Sequence, residues 1–208
     1  MSMRDARDLP AAVRSALLAD PSVTDVQLVG SRARGTPSPL SDWDFVVAGD
    51  LDRVMDRIPS LVRPLEPIAQ QWDRLGPSDY RCYMLLLAGP TKVDLIFPGV
   101  SHRPEPPWVV GPETLEGIDR HFWDWILWLA AKEQGGKHQV VRAELTRMSE
   151  HLLEPMGVDH VPASIQEATA DYRTARERLE SSLRIRVPNR VELEVLPALH
   201  PWAGRDST

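Results

Sequence analysis

Cysteine is almost absent from this chain of 208 residues, in which only Cys82 occurs. A single cysteine cannot form a disulfide within the chain, so a disulfide-stabilised secreted scaffold is excluded. We expect Cys82, which lies in the alternating segment YRCYMLLLA, to be a buried thiol on a strand. The six histidines show no H-E-x-x-H or comparable spacing. A zinc site is therefore not expected from the sequence.

Long apolar runs and an excess of basic residues are also missing. The longest apolar segment, FWDWILWLAA, is too short to cross a bilayer and contains Asp124. The first twenty residues lack the apolar stretch of a secretion signal, so we expect a cytoplasmic protein that contacts no membrane. The net charge of −6 argues against a long nucleic-acid partner, because phosphate contacts are usually made by a basic surface.

The first half of the chain alternates between helical and strand patterns. Apolar spacing predicts helices over residues 5–19 and 50–62. Alternating apolar segments between turn signals predict strands over 24–30, 44–49, 79–89 and 92–99. Helix, strand, strand, helix and a closing strand pair indicate a small α/β unit.

The second half is helical in pattern. A proline-rich segment over 98–112 is predicted to link the halves, and helices are predicted over 117–134, 136–157 and 164–186. Ser164 is a good N-cap for the last of these helices. The tail from residue 197 onward is expected to be irregular.

Two carboxylates follow a proline-spaced loop at the start of an apolar strand. The segment GSRARGTPSPLSDWDFVV places Asp42 and Asp44 two residues apart. Side chains two apart on a strand point to one face, whereas Trp43 and Phe45 point to the other. Two carboxylates on one face repel each other unless a cation lies between them. A capped turn leading into the strand is the alternative, but the glycine-serine turn upstream favours a metal site.

A third carboxylate, Asp94, is the only acid in the strand KVDLIFPG. Mg²⁺ prefers oxygen ligands and is usually held by one or two carboxylates plus substrate phosphates. Two such ions, about 3.5–4 Å apart, can hold both the attacking and the leaving oxygen of a phosphoryl displacement. The pattern therefore predicts Asp42, Asp44 and Asp94 as catalytic residues and as ligands of two Mg²⁺ ions. Asp94 is also the candidate general base, although a solvent-facing acid at a strand edge is the alternative.

Residues beside these acids are predicted to bind a nucleoside triphosphate. Gly30 permits a tight turn, and Ser31 can offer a hydroxyl and an N–H to phosphate oxygens. Arg32 and Arg34 can neutralise the triphosphate. Lys92 lies on the face of its strand that carries Asp94, where it either contacts a phosphate or pairs with a carboxylate; the sequence leaves both open.

Taken together, Gly30-Ser31, Asp42-x-Asp44 and the distal Asp94 resemble the signature of the nucleotidyltransferase fold shared by DNA polymerase beta and the antibiotic nucleotidyltransferases. The resemblance covers about the first half of the chain. It implies transfer of a nucleoside monophosphate from a triphosphate such as ATP to a hydroxyl, with two Mg²⁺ ions and pyrophosphate as leaving group. More loosely, the second half of the chain resembles the helical domain that follows this fold in aminoglycoside and lincosamide nucleotidyltransferases, mainly through the segment FWDWILWLAAKEQGGKHQVVRAEL.

The resulting prediction is an α+β protein. A nucleotidyltransferase domain with a small mixed β-sheet flanked by helices is expected over residues 1–100, and a helical bundle that binds the substrate over 112–200. The expected acceptor is a small-molecule hydroxyl, such as that of an aminoglycoside-like antibiotic. The alternatives are adenylylation of a partner's tyrosine, as in toxin–antitoxin transferases that generally lack a helical half, and an inactive nucleotide-binding module. The sequence leaves monomer and homodimer open.

Two groups of residues in the helical half carry weaker signals. The aromatic residues at helical spacing could stack on a substrate ring, but core packing is the favoured interpretation. The acidic residues could hold the ammonium groups of an aminoglycoside, but solvated helix faces are the commoner explanation. The aromatic residues are Phe122, Trp123, Trp125 and Trp128, and the acids are Asp119, Asp124, Glu133 and Glu144.

Overall fold

The computed structural model describes residues 8–76 and 78–199. The chain divides into two compact units. The sheet unit comprises the described residues up to Pro37 together with Ser41–Glu105, and the helical unit comprises Ser38–Leu40 with the described residues from Pro106 onward. The extents of the predicted functional domains, 1–100 and 112–200, stay predictions.

The sheet unit is built on five strands. Their bounds are β1 Val23–Val29, β2 Trp43–Gly49, β3 Ala69–Trp72, β4 Tyr80–Leu87 and β5 Thr91–Pro98. The spatial order is β1-β2-β5-β4-β3. β2 and β5 run parallel, while the other neighbouring pairs are antiparallel. The predicted small mixed sheet is therefore confirmed.

Helix α1, Leu9–Leu18, precedes the sheet, and a single helical turn, α2, Gly30–Ala33, connects β1 to the loop before β2. The core includes Val13 and Leu17 of α1 and the alternate residues of the central strands, Phe45, Val47, Val93, Leu95 and Phe97, all of which are fully buried. Since strand side chains alternate, burial of one face turns the intervening residues toward the opposite face. That opposite face carries Asp44 and Asp94.

Two features of the sheet unit differ from the sequence prediction. The continuous helix expected over 50–62 is broken into α3, Leu51–Val54, a 3₁₀ turn, and α4, Ile58–Leu61. Pro59 at the start of α4 explains the break, because proline lacks the N–H that a continuing helix needs. The strand β3 was missed, since its residues AQQW show no clear apolar alternation.

The helical unit contains α5 Leu115–Gln134, α6 His138–Met148, α7 Ile165–Leu183 and α8 Arg190–Leu199. The predicted helix over 136–157 is a shorter α6 continued by a π turn, Ser149–Leu153. Ser164 caps α7 as predicted, because its Oγ accepts the backbone N–H of Glu167 at 3.1 Å. α8 was missed, and it includes the first three residues of the tail expected to be irregular; residues 200–208 lie outside the described part of the chain.

The aromatic residues of α5 belong to the core of the helical unit. Phe122 and Trp123 are fully buried and Trp125 nearly so, which confirms the packing interpretation for these three. Trp128 is half-buried, and Lys132 Nζ lies 4.5 Å from the centre of its ring. Among residues 8–76 and 78–199, none of the helices is both long and apolar enough to span a bilayer.

Candidate active site

Three carboxylates converge on the face of the central strands that lies opposite the hydrophobic core. Asp44 on β2 is the direct neighbour of Asp94 on β5 in the parallel register. Asp42 lies two residues before Asp44, at the end of the loop that enters β2. One oxygen atom from each of the three carboxylates lies within 4.8 Å of the others, and all three residues are half-buried. Asp44 and Asp94, which are 50 residues apart in the sequence, are thus brought together by the pairing of β2 with β5.

The turn after β1 approaches Asp44 so closely that only glycine fits. Gly30 adopts a φ of +71°, and a Cβ at this position would lie 2.1 Å from Asp44 Oδ2. Any other residue would need both a left-handed backbone and displacement of the carboxylate. The sequence prediction of a tight turn with close backbone approach therefore matches the geometry, and the approached group is the carboxylate itself.

Arg32 braces the loop that carries the first carboxylate. Its Nε and Nη2 donate to the carbonyl oxygen of Ser41 at 2.9 and 2.6 Å, and Nε also donates to the carbonyl of Asp42 at 3.2 Å. The guanidinium lies over the Trp43 ring, 4.1 Å from its centre. Burial lowers the pKa of Arg32, while the charges of Asp42 and Asp44 oppose this shift. The sequence predicts a phosphate contact for Arg32 and does not predict this positioning role. The alternation of Trp43 and Asp44 shows which side chains share a face, but it does not show which backbone carbonyls Arg32 contacts.

Lys92 makes an ion pair with one of the three carboxylates. Its Nζ lies 2.7 Å from Asp94 Oδ1, and its side chain is almost completely buried. Of the two alternatives that the sequence left open, the structure contains the ion pair. A buried ammonium beside the cluster offsets part of the negative charge of the three aspartates.

The remaining residues predicted to bind the nucleotide lie in α2 and at its end. Ser31 is half-buried, and its carbonyl accepts the N–H of Thr36 at 3.0 Å. Arg34 follows the helical turn as an exposed residue. Their roles, like that of Arg32 as a phosphate contact, stay predictions.

The solvated-face interpretation of the acids in the helical unit is wrong for two of them. Asp119 is 1% exposed and Asp124 is 7% exposed. Glu144 is half-buried and accepts the indole N–H of Trp125 at 3.0 Å. Glu133 is half-buried and pairs with His138 at 2.9 Å.

Asp119 is held by three donors from two helices. Its Oδ1 accepts the Tyr172 hydroxyl at 2.6 Å, the Arg176 Nη1 at 2.9 Å and the Trp123 indole N–H at 3.1 Å. Arg176 Nη2 also donates to Glu192 at 2.5 Å. Although burial opposes the charge, the hydrogen bonds to Asp119 and Glu192 raise the pKa of Arg176. Arg173 Nε also pairs with Glu192 at 2.9 Å, so the two carboxylates of this network are balanced by two guanidinium groups.

The donor set of Asp42, Asp44 and Asp94 fits a magnesium site. All three ligands are carboxylate oxygens, the type that Mg²⁺ prefers, and they lie within a few ångström of one another. Three carboxylates at this separation repel one another, and Lys92 and Arg32 offset part of their negative charge.

Comparison with known proteins agrees with this geometry. Residues 11–77 match the family model described as a nucleotidyltransferase domain, a range that includes Gly30, Asp42 and Asp44. No curated protein sequence matches the chain significantly.

Two solved structures are similar over most of the chain. One is an aminoglycoside 6-adenyltransferase from Bacillus subtilis, with 11% identity, a TM-score of 0.36, and coverage of 94% of this chain and 98% of that one. The other is the polymerase core of TRAMP, an RNA surveillance complex, with 13% identity, a TM-score of 0.36, and coverage of 94% and 57%. On the family match, residues 11–77 form a nucleotidyltransferase domain.

Proposed function

We propose that this protein transfers AMP from ATP to a hydroxyl group of a small molecule in a Mg²⁺-dependent reaction. The observation that carries the proposal is the convergence of Asp42, Asp44 and Asp94 on one face of the sheet, within 4.8 Å of one another. Three carboxylates at this separation are the ligand set expected for divalent ions that bind a triphosphate. The same convergence speaks against an inactive nucleotide-binding module, since no carboxylate of the set is missing.

In the proposed mechanism, the three aspartates position the reacting groups, and Asp94 is also the general base. When bound, two Mg²⁺ ions supply charge neutralisation at the α-phosphate and hold the attacking and leaving oxygens. Asp42, directly before β2, and Asp44, on β2, fix the position of the triphosphate. Asp94, on β5, accepts the proton of the attacking hydroxyl, while Lys92 limits the negative charge around it. The acceptor oxygen then bonds to the α-phosphorus, and pyrophosphate leaves.

The turn before β2 is the proposed phosphate cradle. Gly30 and Ser31 begin a helical turn, and its first backbone N–H groups are proposed to donate to phosphate oxygens. The exposed guanidinium of Arg34 is proposed to contact the triphosphate. Arg32 serves the site by holding the backbone at Ser41 and Asp42, which orients the first carboxylate.

The helical domain is proposed to bind the acceptor, with the functional domains extending over 1–100 and 112–200. An aminoglycoside-like compound is the leading candidate, because the loose resemblance of the second half of the chain is to transferases of that kind. Action in the cytoplasm, where ATP is supplied, and activity as a monomer or a homodimer belong to the same proposal.

The test is a screen for pyrophosphate release. ATP and GTP are each incubated with Mg²⁺ and a panel of aminoglycosides, lincosamides and simpler polyols, and adenylylated products are identified by mass spectrometry. We expect release that requires both Mg²⁺ and an acceptor. Asp42→Asn and Asp44→Asn should each lower the rate by about 10³-fold or more, because a metal ligand contributes several kcal/mol to the transition state.

The matched control is Asp52→Asn, which removes an exposed carboxylate of α3 in the same unit. This variant should keep the wild-type rate. Tight binding of ATP by calorimetry without any pyrophosphate release would favour the inactive module. Labelling of a co-purified protein on tyrosine, with no small acceptor used, would favour the protein-directed alternative.

A further inference from the structure

A second group of metal-binding side chains lies at the start of α7, in the helical unit. His160 precedes the helix, and Glu167 and Asp171 lie one turn apart on its first two turns. One donor atom from each of the three residues lies within 4.8 Å of the others. We refer to His160, Glu167 and Asp171 as the α7 cluster.

The separations within the α7 cluster match those of a tetrahedral metal site. Nε2 of His160 lies 3.5 Å from Glu167 Oε1 and 3.1 Å from Asp171 Oδ2. A tetrahedral Zn²⁺ ion binds nitrogen and oxygen at about 2.0–2.1 Å, so its ligand atoms lie about 3.3–3.4 Å apart. The two distances to the imidazole lie on either side of this value.

These contacts are ion-pair distances without hydrogen bonds. Asp171 Oδ2 is buried, and among the described residues it accepts no hydrogen bond, although the imidazole is 3.1 Å away. The ring therefore does not direct an N–H at this oxygen. A buried carboxylate oxygen that lacks a hydrogen-bond donor is costly unless a cation lies beside it, and this cation is either the protonated His160 ring or a bound metal ion.

Two of the three side chains, Glu167 and His160, are also held by neighbouring groups through their second polar atom. The second oxygen of Glu167, Oε2, accepts the backbone N–H of Ala163 at 2.7 Å. The second ring nitrogen of His160, Nδ1, lies 3.4 Å from Asp159 Oδ1, and the His160 carbonyl accepts the Ser149 hydroxyl at 3.2 Å. Carboxylates at the second nitrogen of a metal-binding histidine orient the ring and fix its tautomer.

We propose that the α7 cluster binds a Zn²⁺ ion that fastens the loop before α7 to the first two turns of this helix. The imidazole selects a borderline ion such as Zn²⁺ over Mg²⁺, which prefers oxygen ligands alone. Three protein ligands leave a fourth position for water. Glu167 and Asp171 follow His160 by 7 and 11 residues, a spacing that differs from H-E-x-x-H and therefore gives no local zinc motif.

The experiment is a metal titration of the untagged protein in an Asp42→Asn, Asp44→Asn background, which weakens the carboxylate site of the sheet unit. Zn²⁺ binding is measured by calorimetry, and Co²⁺ is used as a visible probe of tetrahedral geometry. We expect one Zn²⁺ per chain, a Co²⁺ spectrum of the tetrahedral type, and a higher melting temperature with Zn²⁺. Adding His160→Asn or Asp171→Asn should weaken binding by about 100-fold or more and abolish the thermal shift.

The matched control is His138→Asn, another partly exposed histidine that pairs with a glutamate, Glu133. It should bind Zn²⁺ as tightly as the background protein. If the background protein binds no Zn²⁺, or if it binds equally well after either cluster substitution, the proposal is overturned. Circular dichroism of each variant without metal checks that it is folded, and using two cluster substitutions keeps the test valid if one of them fails to fold.

Discussion

In the sheet unit, Asp42, Asp44 and Asp94 lie within 4.8 Å of one another and are all half-buried. In the helical unit, Asp119 is 1% exposed and accepts three hydrogen bonds, one of them from Arg176. The first set concentrates negative charge where solvent and ligands can reach it. The second surrounds a single negative charge with donors and excludes water.

The difference separates a carboxylate that binds a ligand from one that supports the fold. Repulsion within a partly exposed cluster is a free-energy cost that a bound cation removes, so the cluster gains affinity for divalent ions. A fully paired buried carboxylate has no such affinity, but its removal leaves its partners buried without an acceptor. Substitutions in the two units should therefore change different properties: activity in one and stability in the other.

The largest expected effect follows from breaking the buried network. Asp119→Ala leaves the Arg176 guanidinium, the Tyr172 hydroxyl and the Trp123 indole without their shared acceptor. Burial, together with the charge of Asp119, raises the pKa of Tyr172, so its hydroxyl stays a donor that needs a partner. The variant should lose about 3–5 kcal/mol of unfolding free energy, measured by urea denaturation of the full-length protein.

Glu116→Ala is the control for this prediction. Glu116 is an exposed residue of the same helix whose carboxylate pairs with Arg120. Exposed pairs contribute about 1 kcal/mol or less. Equal losses in the two variants would show that Asp119 is not a structural centre.

The hydrogen bonds of Asp119 could not be predicted from the sequence. The sequence favours a solvated Asp119, because no local pattern marks an acid that accepts hydrogen bonds from residues 53 and 57 positions later in the chain. The fold class was predictable, because apolar periodicity is local and the strands around the site are short and alternating. Strand β3 and helix α8 were missed since a Gln-Gln pair and a helix containing Pro197 weaken those same local signals.

The next effect concerns the turn that touches Asp44. Gly30→Ala places a Cβ 2.1 Å from Oδ2 of Asp44, which must move. Pyrophosphate release should fall by about 100-fold, because misplacing a reacting group by about 1 Å costs this much. The measurement is kcat at saturating ATP.

Gly35→Ala separates the clash from backbone strain. Gly35 has a φ of +73°, almost the same as Gly30, but nothing lies within 4 Å of an added Cβ. Both variants should lose about 1 kcal/mol of stability, and only Gly30→Ala should lose activity. Similar losses of activity in both would contradict the role given to the close approach.

A smaller effect tests whether Arg32 binds phosphate or braces the loop. Arg32→Lys keeps the positive charge but cannot make the three hydrogen bonds to the Ser41 and Asp42 carbonyls. For a brace, kcat should fall by about 10-fold while KM for ATP stays the same, since one or two net hydrogen bonds are lost. A rise in KM with unchanged kcat would instead favour a phosphate contact. Steady-state kinetics with varied ATP decides between the two.

The smallest effect concerns Lys92. Lys92→Met removes the ammonium from Asp94 while it preserves the length of the buried side chain. The cluster then carries more uncompensated charge, so the Mg²⁺ concentration for half-maximal activity should fall a few-fold. The expected result is a lower Mg²⁺ concentration for half-maximal activity, with the KM for ATP unchanged. A several-fold higher KM for ATP would indicate that Lys92 contacts the phosphates.

Most of the candidate site could be anticipated from its sequence, because period-two alternation predicts which strand residues share a face. Asp42, Asp44 and Asp94 follow from that rule and from the pairing of short neighbouring strands. The brace formed by Arg32 could not be anticipated, since it depends on backbone carbonyls of a loop whose path no pattern specifies. Whether Lys92 pairs with a carboxylate could be decided only from the structure, in which its Nζ lies 2.7 Å from Asp94 Oδ1.

Divalent-ion binding by the three aspartates is measured most directly by Mn²⁺ titration, followed by electron paramagnetic resonance, with a non-hydrolysable ATP analogue present. The His160→Asn background avoids a contribution from the α7 cluster. We predict about two bound Mn²⁺ per chain, reduced to one or none by Asp44→Asn and unchanged by Asp52→Asn. Equal Mn²⁺ binding with and without Asp44→Asn would contradict the account.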